Sequence, residues 1–229
     1  MCCRGDSGVN KDPSKNALKW GNFACDTPII TLESMLDYVK NDVKPDAILW
    51  GGDSIPHDLD TLRIDSSAQI MKNVTKVVSE TWDEYKIIPC IGNHDTYPQD
   101  IIKFHDKRSN ENINMWSNTW IQFIDDEDEQ NRWLDWGYFK APLVSKDGTK
   151  LGTNGNTMVF SLNTNLCYLN NFEVFTMFQD PGGMLTWLEN ELKELQNSNG
   201  TAIILGHVPN GDECTRQFSE RLKGITDRF

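Results

Sequence analysis

Residues 86–95 read KIIPCIGNHD. A short apolar run breaks on Gly92, and Asn93, His94 and Asp95 follow at once. A run of this length closed by glycine indicates a buried strand. A simple turn does not call for three side chains that bind a metal or carry a proton. The pattern occurs twice more: AILW at 47–50 runs into GGDSIPHD at 51–58, and AIIL at 202–205 runs into GHVPN at 206–210. Each time a potential ligand sits just past the strand: Asp53, Asn93 and His207.

Helical patterns separate these strands. Asp26-Thr27-Pro28 reads as a cap followed by a first-turn proline, and Ile29, Leu32, Leu36 and Val39 keep helical spacing up to Lys40. A second helix is expected over 60–82, with Ile70, Val74, Val77 and Val78 on its apolar side. Residues 99–135 read as helical or irregular and tryptophan-rich, and Tyr138-Phe139 and 157–162 read as strands. Asp180-Pro181 opens a helix carrying Leu185, Leu188, Leu192 and Leu195, which ends at Asn199-Gly200 before a strand at 201–205. Strands alternating with helices predict an α/β sandwich with a largely parallel sheet. Ligands in such sheets gather beyond the carboxyl ends of the strands, so Asp53, Asn93 and His207 are expected to meet on one rim.

The bulk numbers narrow the function. The 229 residues suit one large domain or two small ones, and neither a repeat nor a low-complexity linker divides them. With 34 acidic against 22 basic residues the net charge is −12, which repels a phosphate backbone and argues against nucleic acid as a partner. No run approaches the length of a transmembrane helix, and the N-terminus, MCCRGDSGVN, lacks the apolar stretch of a signal peptide. Cysteines at 2, 3, 25, 90, 167 and 214 have no zinc-ribbon spacing and look like disulfide partners. Together with Asn-x-Thr sequons at Asn73 and Asn199, they lead us to expect an oxidising compartment and a true N-terminus outside this chain.

A carboxylate bridges divalent ions, an amide oxygen ligates without adding charge, and a neutral imidazole donates a nitrogen lone pair. This mixed set suits zinc, manganese or iron better than calcium or magnesium. Two such ions about 3.5–4 Å apart would clamp a phosphoryl group and generate a bridging hydroxide. His94, next to Asn93, would then stand by the leaving oxygen as general acid.

The three motifs GGD, GNHD and GH resemble those of calcineurin-like metallophosphoesterases. CCRGDSG, WGNFACDTPIITLESML, WGGDSIPHD, SLNTNLC, DPGGMLTWLENEL and ILGHVPNG are further similar to the catalytic domain of acid sphingomyelinase and the acid sphingomyelinase-like phosphodiesterases. The likeness is weakest at about 97–135 and after 215. It implies a sandwich of two β-sheets flanked by helices, with 1–27 a cysteine-tied segment of the catalytic domain and 28–229 its main body. It implies metal-dependent hydrolysis of a phosphodiester, a phospholipid head group or a nucleotide-like molecule, with peripheral contact to lipid and a secreted or lysosomal setting. Asp53 would be the bridging ligand, Asn93 and His207 would bind the second of two divalent ions (zinc in the family), His94 would donate the proton and His57 would contact phosphate. Cys3 would pair with Cys25 and Cys167 with Cys214, Cys2 would lack its partner, and Cys90 would be a free buried thiol.

Two departures stand against that pattern. No Asp-x-His occurs, and only one Gly-His is present, with no Gly-His-x-His. The chain therefore reads as part of a longer enzyme, missing the first strand motif and a C-terminal part of the sandwich, retaining at most one of the two ions and expected to be weak or inactive by itself. A phosphomonoesterase or nucleotide hydrolase of the same fold, and an inactive binding or scaffold fragment, are the competing functions. Arg4-Gly5-Asp6 is expected to be a turn, DDEDE at 125–129 a solvated acidic loop, and Trp116, Trp120, Trp133 and Trp136 core packing rather than a lipid-facing lip. His105 has no evident partner.

Overall fold

The computed structural model describes residues 11–23, 25–57, 62–104, 110–177 and 179–229. Arg4-Gly5-Asp6, His105, Cys2 and Cys3 fall outside them. Cys25 is disulfide-bonded.

Two sheets form the centre. In one, β1 (Ile48–Trp50) runs parallel to β2 (Ile87–Pro89). In the other, β3 (Phe139–Pro142) is antiparallel to β4 (Thr157–Ser161), and β4 is parallel to β5 (Thr201–Leu205). The antiparallel β3 joins an otherwise parallel pattern, in keeping with the expected largely parallel sheet. The Ser161 hydroxyl donates to the Pro89 carbonyl at 2.7 Å and ties the sheets together.

Around them lie α1 (Ile29–Tyr38), α2 (Ile64–Thr81), α3 (Glu111–Trp120), α4 (Glu127–Trp136), α5 (Met184–Asn197) and α6 (Arg216–Thr226). Helix α1 ends in a π-type turn, Val39–Val43, where Lys44 takes a left-handed conformation. Its start differs from expectation. Pro28 itself occupies the cap position and no side chain caps the helix, because the Asp26 carboxylate is engaged elsewhere. On α2 the most buried residues are Ser67, Met71, Thr75 and Val78, so the inward stripe is rotated by about one residue from Ile70, Val74 and Val77. The Thr75 hydroxyl turns inward because it accepts the Trp120 indole N–H at 2.8 Å.

Three of the four tryptophans fill the core as expected, and Trp136 packs half-buried against it. Trp116, Trp120 and Trp133 are fully buried, and Trp133 meets Phe139 edge-to-face at 5.5 Å. DDEDE is solvated at 125–128, as expected, but it opens a helix rather than forming a loop, and Glu129 turns inward. Asp126 caps α4 through the Asp128 and Glu129 N–H groups, and acidic residues in a first turn suit the helix dipole. Glu129 is buried and accepts from the Lys140 N–H and the Arg132 guanidinium. Leu185, Leu188, Leu192 and Leu195 are buried along α5. Asp180 caps that helix from a distance, accepting the Leu185 and Thr186 N–H groups across a glycine pair. Helix α6 buries Phe218, Leu222 and Ile225. Cys167 and Cys214 form the expected disulfide. Cys90 is free and buried, and burial pushes its thiol up to about 12. No helix among the described residues is long and apolar enough to cross a membrane.

Candidate functional site

The loops after β1, β2 and β5 meet. Asn93 Oδ1 lies 2.9 Å from His207 Nε2, and Asp53 Oδ2 lies 3.2 Å from the same nitrogen. The other ring nitrogen, Nδ1, is 2.7 Å from the Gly51 carbonyl. A carbonyl only accepts, so Nδ1 carries a proton and Nε2 is the atom turned to the cluster.

Tight backbone geometry makes this meeting possible. Gly52 and Asp53 take successive left-handed conformations, φ 86° and 58°, the second being one that a short polar side chain tolerates better than most. A Cβ on Gly92 would come within 2.1 Å of Asp53 Oδ1, and one on Gly52 within 2.4 Å of the Gly92 nitrogen. These glycines let two loops pass where no side chain fits.

Asp95 holds the loops together. It is fully buried, and its carboxylate accepts the backbone N–H groups of Gly92 (2.9 Å), Asp53 (2.8 Å) and Ser54 (2.7 Å). Burial pushes its pKa up to about 6 against the pull of those donors, with the Asp53 charge adding to the rise. The Trp116 indole N–H reaches the Asp95 carbonyl at 2.6 Å and joins this clamp to the aromatic core.

Each ligand candidate is oriented by a neighbour. The Asn93 amide donates to Asp100 Oδ1 at 2.7 Å, which turns its oxygen towards His207. The His207 and Val208 N–H groups donate to the Thr164 hydroxyl at 3.2 and 2.8 Å. The His94 N–H donates to Asp53 Oδ1 at 3.1 Å. Burial pushes the Asp53 carboxyl up, but the hydrogen bonds from His207 and His94 and the charges of both rings hold it below the usual range. The hydrogen bond with Asp53 raises His207, burial opposes it, and the Gly51 carbonyl adds to the rise.

His94 and His57 stand edge-to-face beside the cluster, ring centroids 4.1 Å apart. The Nδ1 atom of His94 is buried without a hydrogen-bond partner among the described residues. His57 is gripped by Asp26, whose Oδ1 lies 2.7 Å from Nδ1 and whose Oδ2 accepts the His57 backbone N–H at 3.2 Å. Asp26, Asp95, Asp100 and Thr164 are thus parts of the site to which the sequence alone assigned no role there. Only Asp95 carried a signal, its place inside GNHD.

The donor chemistry fits one divalent ion. Loss of the Nε2 proton leaves a carboxylate oxygen, an amide oxygen and an imidazole lone pair aimed at one point, and the Nδ1–H to carbonyl bond is the arrangement that fixes a ligating histidine. Among the described residues no group of three His, Cys, Asp or Glu side chains could hold an ion, so the neutral Asn93 oxygen is needed to complete even this set.

Residues 12–225 match the model of the calcineurin-like phosphoesterases, and the chain belongs to that family. It is 27% identical over 233 residues to sphingomyelin phosphodiesterase B of Dictyostelium discoideum, covering 100% of this chain and 35% of the relative. It is 32% identical to sphingomyelinase phosphodiesterase C of the same organism, covering 91% and 44%. The human cyclic GMP-AMP phosphodiesterase SMPDL3A is 29% identical, covering 91% and 43%. The chain therefore spans less than half the length of these relatives.

Proposed function

We propose that this chain carries part of the active site of a metal-dependent phosphodiesterase acting on a phospholipid head group or a nucleotide-like diester. The carrying observation is the approach of Asn93 Oδ1 and Asp53 Oδ2 to His207 Nε2, at 2.9 and 3.2 Å. Asp53, Asn93 and His207 would hold one divalent ion, with zinc the first choice, and the complete enzyme would use two. When bound, the ion supplies Lewis acidity to a phosphoryl oxygen and to the attacking water.

The protein groups have separate tasks. His57 contacts a phosphate oxygen, and His94 protonates the departing alcohol, a contribution of about 10²–10⁴-fold. Asp95 keeps the Asp53 and Asn93 loops in register. The relatives' names support a diester as substrate, and the Cys167–Cys214 disulfide supports an oxidising, secreted or lysosomal setting. A second reading, a silent binding module of the same fold, draws on the small donor set among the described residues.

Isothermal titration with Zn²⁺ and Mn²⁺, followed by rates on bis(p-nitrophenyl) phosphate and p-nitrophenyl phosphate, separates the readings. Saturable binding with weak turnover, faster on the diester than on the monoester, is expected. Binding without turnover supports the silent module, faster monoester turnover supports a phosphomonoesterase, and no binding at all sinks the metal site.

A further inference from the structure

We propose that Asp26 is the positioning residue of His57, a carboxylate that dictates which ring nitrogen of His57 faces the substrate. The idea rests on the phosphodiesterase reading only for what His57 does; the positioning itself stands on geometry.

Asp26 follows the disulfide-bonded Cys25 and lies just before α1. Its sequence context, Asp-Thr-Pro, suits a helix cap, yet α1 has no side-chain cap. The carboxylate instead reaches across 31 residues and grips His57 at two points: the backbone N–H at 3.2 Å and ring Nδ1 at 2.7 Å. A carboxylate only accepts, so Nδ1 keeps its proton. Nε2 is left without a hydrogen-bond partner among the described residues. The ring sits edge-on to His94 at 4.1 Å and 76°, so Nε2 belongs to the same small region as the general acid.

A plain surface ion pair accounts for less. The His57 side chain is 70% exposed, and a pair that open adds little to stability. Gripping the backbone and the ring of one residue with both oxygens of one carboxylate fixes orientation rather than mere proximity. Asp26, next to the disulfide-bonded Cys25, thereby ties the segment just before α1 to the site.

The test uses the full chain with ¹⁵N-labelled histidine and long-range ¹H–¹⁵N correlation, the His57 signals being assigned by their loss in His57→Gln. Wild-type His57 is expected to show a protonated Nδ1 and a bare Nε2 above neutral pH. Asp26→Ala is expected to move the proton to Nε2. Asp26→Asn keeps the shape and one accepting oxygen, guards against a folding failure, and is expected to retain the Nδ1 proton. An unchanged tautomer in Asp26→Ala overturns the proposal. In kinetics on bis(p-nitrophenyl) phosphate, Asp26→Ala should cost ~10- to 100-fold in kcat/KM, but less than about twofold once His57 is already Gln. Equal losses in both backgrounds overturn it as well. A wild-type chain that binds no divalent ion and turns over no diester removes the phosphodiesterase reading, while the tautomer measurement still decides the role of Asp26.

Discussion

His207 Nε2 stands 2.9 Å from Asn93 Oδ1 although 114 residues separate the two along the chain. The two sheets together bring them there: β5 of one delivers His207, β2 of the other delivers Asn93, and the Asp95 clamp adds the β1 loop with Asp53. The donor set is therefore a property of topology, and each arm of it can be tested alone.

Removing either charged or imidazole donor should cost metal affinity. Asp53→Ala and His207→Ala are each expected to weaken Zn²⁺ or Mn²⁺ binding at least ~10-fold, and Asn93→Leu by a comparable amount because its oxygen completes the set. Calorimetric affinities equal to wild type in all three would show that no ion binds there.

Gly92→Ala should be more damaging than its size suggests. The added methyl would stand 2.1 Å from Asp53 Oδ1 and 2.4 Å from the Asp53 nitrogen. Backbone contacts of that kind cannot rotate away, so the β1 and β2 loops must separate. A loss of about 2 kcal/mol or more in stability is expected, together with loss of metal binding. Denaturant unfolding within about 0.5 kcal/mol of wild type would refute the crowding.

Stability in the presence of chelator should peak at mildly acidic pH. Asp95, pushed up to about 6 when folded, contributes stability that is full below its unfolded value and is lost as pH rises through 6. His207, raised by Asp53, likewise loses its contribution as pH rises through its folded value. Asp53, held low, contributes above its unfolded value and loses that only as pH falls through its folded one. The three windows overlap between about pH 4 and 6. The thermal midpoint is expected to be higher at about pH 5.5 than at about pH 8, with the difference reduced in Asp95→Asn. A midpoint that climbs across that interval contradicts the sign.

Much of this was legible in the sequence and some was not, for physical reasons. Ile48–Trp50, Ile87–Pro89 and Thr201–Leu205 are short apolar runs punctuated by glycine, so the strands and the ligand at each end could be read locally. The four leucines of α5 carry a helical period that burial then respects. Asp26 could not be read the same way. Its local context favours a cap, and only a contact 31 residues away outcompetes it. Glu129 sits in an acidic run that suggests solvent, yet its burial depends on Lys140 and Arg132. Asp100 and Thr164 act on backbone or amide groups, which leave no periodic trace.

The Cys167–Cys214 bond should support His207 as well as the fold. It closes a separation of 47 residues, worth about 4 kcal/mol in the chain-entropy account. Around it the Thr215 N–H donates to the Cys167 carbonyl at 2.8 Å and the Leu169 N–H to the Glu213 carbonyl at 2.9 Å. The bond thus fastens the segment after β4, which carries Thr164, to the segment that follows the His207 loop. Thr164 in turn receives the His207 and Val208 N–H groups. Cys167→Ser with Cys214→Ser is therefore expected to lose a few kcal/mol of stability and also to weaken metal binding. Thr164→Val, which keeps the disulfide and the side-chain shape, is expected to cost about 1–3 kcal/mol through its two orphaned N–H groups and to weaken binding similarly. Should the cysteine pair be lost with stability reduced but metal affinity intact, the disulfide holds only the fold, and the path through Thr164 to His207 is wrong.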